Sequence, residues 1–322
     1  MKPYKFESFL KTTIWGGEQI AAFKGIDTDL HNVGESWEIS DFPGQESVVA
    51  TGEDKGLNLS ALVEKYKEQL VGEKVYAKFG NHFPLLVKFI DSHQNLSVQV
   101  HPNDELAMKR HGCRGKSEMW YVIKAEPGAR IYTGLCKEIS PERYEQMVTT
   151  ETVGGYSPIM DVIATYESHQ GDVYFLPAGR LHAIGAGNFV AEIQQTSDIT
   201  YRVYDYGRRD ANGNTRELHI EQAKDAIDYR VYSEYRSTYD STLLDAPLVH
   251  CPYFNVNRVV VHEAMDVDYQ VDSFVIVLCM RGEANVNGVD VCQGETILVP
   301  ACDNKLHFVG NGTFLTATMY NK

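Results

Sequence analysis

The chain has 322 residues, 43% hydrophobic and 23% charged, a composition typical of a soluble globular protein with room for a large core and two domains. Its formal net charge of −14 argues against non-specific nucleic-acid binding, which needs basic surface, but allows a small phosphorylated ligand in a local basic pocket. No apolar run reaches the roughly 20 residues of a membrane span, so no nucleic-acid or membrane partner is expected.

The opening stretch, MKPYKFESFLKTT, has neither the apolar segment nor the small-residue cleavage site of a signal peptide. The six cysteines (Cys113, Cys136, Cys251, Cys279, Cys292 and Cys302) form no CxxC pair. Reduced, mostly buried thiols and a cytoplasmic location are expected. Along the chain, LSALVEKYKEQLVG predicts a helix capped by Ser60 and stopped by Gly72, with Leu62, Val63, Tyr66 and Leu70 on one face. FPLLVKFID predicts a strand. In the short run SVQVHPND, Val98 and Val100 alternate with Ser97, Gln99 and His101, so those three polar residues project together. PNDELAMKRHG predicts a helix with acids early and bases late, matching the helix dipole. MWYVIKA reads as a strand, and SPERYEQMV as a helix opened by Ser140 and Pro141. DVYFLPAG is a further strand and RELHIEQAKDAID a last helix; from about residue 241 only strand and turn signals remain, as in FVIVLCMRG and TILVPA.

An internal echo organises these elements. GDVYFLPAG runs from Gly171 to Pro177 and GETILVPAC from Gly294 to Pro300, both reading glycine, five residues, proline, at an offset of 123. The first copy continues through Gly179 to His182; in the second, Cys302 and Lys305 occupy those places, and Ser273 falls roughly opposite Glu118. The fold expected from this echo is mainly β: two related β-domains, with a boundary near residue 240 and a few helices inserted in and around the N-terminal part.

Gly-x5-Pro-x-Gly-x2-His resembles the second motif of the cupin superfamily, whose histidine points into the barrel. QVHPND and GKSEMWYVI supply Gln99, His101 and Glu118, the counterpart of the first motif. The resemblance implies two cupin-type jelly-roll barrels: residues 1–240 a catalytic, metal-binding domain with helical insertions, and 241–322 a barrel lacking metal ligands. Two imidazoles, a carboxylate and an amide oxygen suit Zn²⁺ with an open position, and also Fe²⁺ or Mn²⁺. More specifically, LLVKFIDSHQNLSVQVHPND, GKSEMWY, LPAGRLHAIGAG and EIQQTSDITYRVYDYGR resemble the short bacterial form of the type I mannose-6-phosphate isomerases. The likeness extends from TIWGG and GESWEIS through the C-terminal barrel. It implies one Zn²⁺ on Gln99, His101, Glu118 and His182, and interconversion of mannose 6-phosphate and fructose 6-phosphate. It also implies active-site roles for Lys88, Lys116, Asp198 and Arg202. Long family members carry an Asn-His-Lys-Pro-Glu run where this chain has Gly115, Lys116, Ser117 and Glu118; the Lys-x-Glu element survives.

Such an isomerisation needs a base, a group that stabilises the enediolate oxygens and an anchor for the phosphate. Arg202, permanently charged and forked, suits the enediolate or the phosphate, and Asp198, four residues earlier, could orient it. Arg202 has an alternative as a surface ion pair with Asp205 or Asp210. Lys88 lies in an apolar run, where burial would lower its pKa towards an acid/base role; the alternative is a side chain snorkelling from a strand edge. Ser97 is a candidate phosphate donor and Trp15 a candidate sugar platform, each with a purely structural alternative. The base stays open among Lys88, Asp198, a histidine and metal-bound water. Besides the isomerase, an Fe²⁺ cupin oxygenase and a non-enzymatic sugar-binding cupin are weighed, with a small sugar phosphate as ligand and a monomer or homodimer as assembly.

Overall fold

The computed structural model describes residues 1–150, 156–209 and 212–319. In chain order the strands are β1 (Tyr4–Glu7), β2 (Phe9–Gly17), β3 (Val33–Ile39), β4 (Val48–Val49), β5 (Leu85–Ser92), β6 (Val98–Val100) and β7 (Glu118–Ala125). Then come β8 (Arg130–Leu135), β9 (Ile163–Glu167), β10 (Val173–Leu176), β11 (His182–Ile184), β12 (Asn188–Gln195), β13 (Tyr201–Tyr204) and β14 (Arg236–Ser237). The C-terminal strands are β15 (Asp245–His250), β16 (Asn255–Val267), β17 (Val275–Val286), β18 (Val289–Cys292), β19 (Thr296–Val299) and β20 (Leu306–Thr318).

They form three sheets. The N-terminal part contributes a seven-stranded sheet ordered β14-β10-β7-β12-β5-β2-β3 and a five-stranded sheet ordered β13-β6-β11-β8-β9. Their facing sides share a core in which Ile90, Trp120, Tyr174 and Val190 of the first meet Ile131 and Ile184 of the second. Period-two alternation sends Phe89, Met119, Tyr121 and Ile193 to the opposite side of the seven-stranded sheet. There they pack against Phe254, Ile276, Leu298 and Leu315 of the C-terminal part. The outer side of the five-stranded sheet is covered by the helices Pro141–Thr149 and Ile220–Ala226, through Val98, Val100, Tyr144, Met147 and Ala223. The valines of the 97–101 run therefore face helices, leaving its polar residues to face inward.

The mainly β, cupin-type expectation holds, with curled rather than closed sheets. Residues 245–318 contribute six strands to an eight-stranded sheet that wraps its own core, where Val259, Val275, Val277, Ile297, Phe308 and Phe314 meet. The segments Tyr4–Glu7 and Val48–Val49 extend this sheet at one edge. Its central order, β19-β17-β20-β16, repeats β10-β7-β12-β5 of the first half. β10 and β19 are offset by 123 residues, and both echo glycines take a left-handed turn, φ 88° at Gly171 and 80° at Gly294. Strand register corrects one alignment: Leu176 pairs with Glu118 and Val299 with Val275, so Val275 rather than Ser273 stands in the place of Glu118. Lys305 is exposed, with Nζ 3.0 Å from Asp268 Oδ2.

Local details differ from expectation for physical reasons. The 59–72 segment is not one helix: it breaks at Lys67, φ 48°, into Leu59–Tyr66 and Glu68–Val71. Its cap is Asn58, whose Oδ1 accepts from the Ala61 amide at 2.9 Å, while Ser60 donates to that same oxygen. Short helices at Gln19–Lys24 and Glu73–Phe79 had no clear sequence signal, and the last helix spans only Ile220–Ala226. The cysteines are all free but not mostly buried; only Cys251 and Cys279 are buried, and Cys136, Cys292 and Cys302 are exposed.

Candidate active site and metal centre

Two cross-strand rows meet between the facing sheets. In the five-stranded sheet, Gln99 of β6 pairs with His182 of β11 on one side and Arg202 of β13 on the other. In the seven-stranded sheet, Trp120, Glu192, Lys88 and Trp37 are successive register partners on β7, β12, β5 and β3. Between them opens a cavity of about 820 Å³. Trp15, Lys88, Ser97 and Gln99 line it, as do Lys116, Asp198 and Arg202, so seven of the ten expected site residues share one space.

The other three, His101, Glu118 and His182, form a buried cluster whose ligand atoms all lie within 4.8 Å of one another. Glu118 Oε2 is 3.4 Å from His101 Nε2, and Oε1 is 3.2 Å from His182 Nε2. Ligands about 2.1 Å from a tetrahedral metal stand about 3.4 Å apart, so this spacing fits a shared ion. His101 Nδ1 donates to the Ile199 carbonyl and His182 Nδ1 to the Arg180 carbonyl, each at 2.8 Å. A carbonyl only accepts, so both protons sit on Nδ1 and both Nε2 lone pairs are free for a metal, the usual support of a metal-binding histidine. Those two Nε2 atoms and Glu118 Oε1 are buried without a hydrogen-bond partner, and Glu118 Oε2 faces only the Lys116 ammonium, an arrangement that costs energy unless a further cation satisfies it. Burial, reinforced by the Lys116 ammonium, pulls His182 down to about 3 and holds His101 well below its ordinary value. Both are thus neutral ligands. Gln99 is half-buried and pairs with His182 in the strand register. Lys116 Nζ lies 3.1 Å from Glu118 Oε2.

On the opposite wall Lys88 is buried between two carboxylates, its Nζ 3.5 Å from both Glu35 Oε2 and Glu192 Oε1, and 4.6 Å from the centroid of the Trp37 ring. Burial alone would depress its pKa, as the sequence suggested, but Glu35 and Glu192 more than reverse this and the net shift is upward. Lys88 is therefore a fixed ammonium rather than a base. Each carboxylate is also held by an indole: Trp37 Nε1 donates to Glu35 at 2.6 Å and Trp120 Nε1 to Glu192 at 2.8 Å. Their environments separate them. Burial raises the pKa of Glu35, but Lys88 and Lys11 outweigh it and the net shift is down. Burial, with Glu118 nearby, pushes Glu192 up.

Arg202 makes no ion pair with Asp205, whose carboxylate is taken by Arg208 and Arg216; Asp210 lies outside the described residues. Its Nη1 donates instead to the Glu217 carbonyl at 2.9 Å. Asp198 shares the cavity with Arg202, but no hydrogen bond or ion pair joins them among the described residues, which corrects the orienting role. Trp15 is 5% exposed, belonging to the inter-sheet core while edging the cavity. Glu35, Glu192 and Arg216 escaped the sequence reading. Glu192 did carry a signal, a charge inside the apolar run FVAEI, the feature that drew attention to Lys88.

Fold and site together define a cupin-type β protein with a His–Glu–His centre fit for a metal beside a charged cavity. Residues 4–124 match the family described as phosphomannose isomerase type I, catalytic domain. Mannose-6-phosphate isomerases of Bacillus subtilis and Streptococcus mutans are 34% and 32% identical, over 93% and 96% of both chains respectively. The crystal structure of the mannose 6-phosphate isomerase from Bacillus subtilis superposes with a TM-score of 0.86 at 30% identity, covering 98% of this chain and 99% of that one. The chain belongs to the type I phosphomannose isomerase family. That membership sets aside the oxygenase and the non-enzymatic binding protein.

Proposed function

We propose that the protein interconverts mannose 6-phosphate and fructose 6-phosphate, with one Zn²⁺ held by Gln99, His101, Glu118 and His182. The carrying observation is the convergence of two buried imidazole nitrogens and a buried carboxylate, none of them hydrogen-bonded, beside a charged cavity, in a chain that belongs to this family. When bound, the ion supplies positive charge that polarises the sugar carbonyl and favours the enediolate. Glu192 takes the proton from C2 of the aldose and returns it at C1; its raised pKa suits a group that must carry a proton and release it. Lys88 provides fixed positive charge beside it, and Lys116 and Asp198 contact the sugar's oxygens. Trp15 and Ser97 shape the wall. Catalysis is assigned to residues 1–240, since the triad lies there and the cavity lining runs from Lys11 to Arg216. Residues 241–322 serve packing.

The test is metal analysis of the purified protein, with a coupled assay on mannose 6-phosphate before and after chelation. Activity should vanish on chelation and return with zinc. Full activity in metal-free protein, or no turnover of mannose 6-phosphate, overturns the reading.

A further inference from the structure

We propose that a small oxyanion, a phosphate or a carboxylate, binds at the junction of the two halves, held by Arg258 and Arg281 of the C-terminal sheet and the Tyr121 hydroxyl of the seven-stranded sheet. The place is separate from the catalytic cavity, with which it shares no lining residue. Along most of the junction the two sheets meet through apolar side chains, such as Met119 and Ile193 against Phe254 and Leu315. At one end the same faces turn polar. Arg258 and Thr313 stand two residues from the core residues Val256 and Leu315, so period-two alternation puts them on the face that meets the seven-stranded sheet. Arg281 of β17 is the register partner of Thr313. Opposite them, β7 carries Tyr121 and Ile123, with Tyr239 and the Gly171 turn alongside, and the space between is a cavity of about 280 Å³.

Its polar groups are donors without an acid: two guanidiniums, the hydroxyls of Tyr121, Tyr239 and Thr313, and the Gln170 amide, with no Asp or Glu in the lining. In a chain with 44 acidic and 30 basic residues, two arginines without a carboxylate go against the average. Arg258 gives Nη2 to the Ser241 and Leu243 carbonyls, at 2.8 and 3.2 Å, and its Nε is buried with no partner. Asp172, next to Gly171 in the chain, is engaged elsewhere, by Arg236 Nη1 at 3.4 Å and by the His169 amide at 2.9 Å. Burial pushes the Tyr121 hydroxyl up to about 12 against the pull of both arginines, so it keeps its proton and donates. A Cβ at Gly171 would stand 3.2 Å from the Tyr239 hydroxyl and 3.9 Å from that of Tyr121, so both hydroxyls approach a spot that glycine leaves open. Guanidiniums beside neutral hydroxyl donors suit a planar or tetrahedral oxyanion. The volume is at the small end for ligand sites, which fits a compact anion rather than a nucleotide. Bound there, the anion offsets the repulsion of two like charges and ties β16 and β17 to β7.

The test locates the anion and then weakens it. Wild-type crystals soaked in selenate, a tetrahedral oxyanion with an anomalous signal, should show a selenium peak between Arg258 and Arg281, whatever else binds in the catalytic cavity. In solution, calorimetry with inorganic phosphate, and separately with malonate, compares wild type with Arg281→Gln. The Arg281 side chain is exposed, so the variant should fold. Its junction site should bind the anion roughly ten- to a hundredfold more weakly, the loss expected for one charge-assisted contact. Tyr121→Phe should lose a smaller factor. Tighter binding of phosphate than of malonate assigns a phosphorylated ligand, and the reverse a carboxylate one; either supports the site. No selenium peak at the junction, or equal affinities of wild type and Arg281→Gln for both anions, overturns the proposal, the second case meaning binding at crystal concentration only. Unchanged affinity in Tyr121→Phe overturns the bridge to β7.

Discussion

Glu192 and Lys88 stand directly opposite each other on neighbouring strands, with Oε1 3.5 Å from Nζ, and each is backed by a tryptophan one strand further out. Glu35 completes the set from the other side of Lys88, and of the two carboxylates only Glu192 has its proton affinity raised. One ammonium between two carboxylates of unequal acidity separates a permanent charge from a transferable proton. Environments that push the pKa values of neighbouring carboxylates apart are a common way to assign acid/base roles.

Glu192→Gln should lower kcat by roughly 10²- to 10⁴-fold with little change in metal content. Wild-type kcat should also lose activity on the acid side at a pH above about 4.3, the ordinary glutamate value, because burial and Glu118 raise this carboxyl. The sign follows from the role: as pH falls through the raised value Glu192 becomes protonated and cannot accept the substrate's proton. A pH–rate profile with steady-state kinetics of the variant checks both. Undiminished kcat would transfer the proton step to Asp198.

Removing Lys88 should hurt the fold as well as the reaction. Lys88→Met leaves Glu35 and Glu192 buried without the cation between them, and breaking a buried pair typically costs about 3–5 kcal/mol. Adding Glu192→Gln should recover part of that stability and none of the activity. Urea unfolding of the single and double variants measures this, and equal midpoints for wild type and Lys88→Met would show that the carboxylates need no cation.

Much of this site was legible because strands have a simple rule. Alternation alone put Ser97, Gln99 and His101 on one side, and Val98 and Val100 do pack against helices on the other. Lys88 stood out as a charge in an apolar run, but its charge state did not, because Glu35 and Glu192 come from strands 53 residues before and 104 after it. Helix positions survived better than caps: Asn58 and Ser60 are both good cap residues, and only geometry chose between them. Arg216 had no local signal at all, lying outside any strand or helix, and its place in the cavity lining is fixed by bonds to Asp205, eleven residues away.

His182→Ala should release the metal with little loss of secondary structure, since the strands around it are held by apolar packing on both sides of the five-stranded sheet. Wild type should carry close to one zinc per chain. The C-terminal barrel should contribute none, as Val275 holds the place of Glu118 and Lys305 turns outward to Asp268. Metal content with circular dichroism tests the first point, and a second zinc in residues 241–322, found by anomalous scattering, would refute the second.

Gln99 decides how many protein groups would hold an ion in the proposed centre. Its register neighbours are His182 on one side and Arg202 on the other, so its amide sits between the histidine end and the arginine end of the cavity. Gln99→Glu keeps an oxygen donor but adds negative charge beside Glu118. Zinc should still bind, while turnover slows, because a second carboxylate weakens the ion as a Lewis acid and repels the developing enediolate. Each tenfold loss corresponds to about 1.4 kcal/mol at the transition state. Gln99→Leu, similar in size but without a donor, should bind zinc more weakly and lose turnover. Zinc affinity, kcat and KM of both variants separate the cases. A Gln99→Leu enzyme close to wild type would mean that the amide is scaffolding and that His101, Glu118 and His182 hold the metal alone.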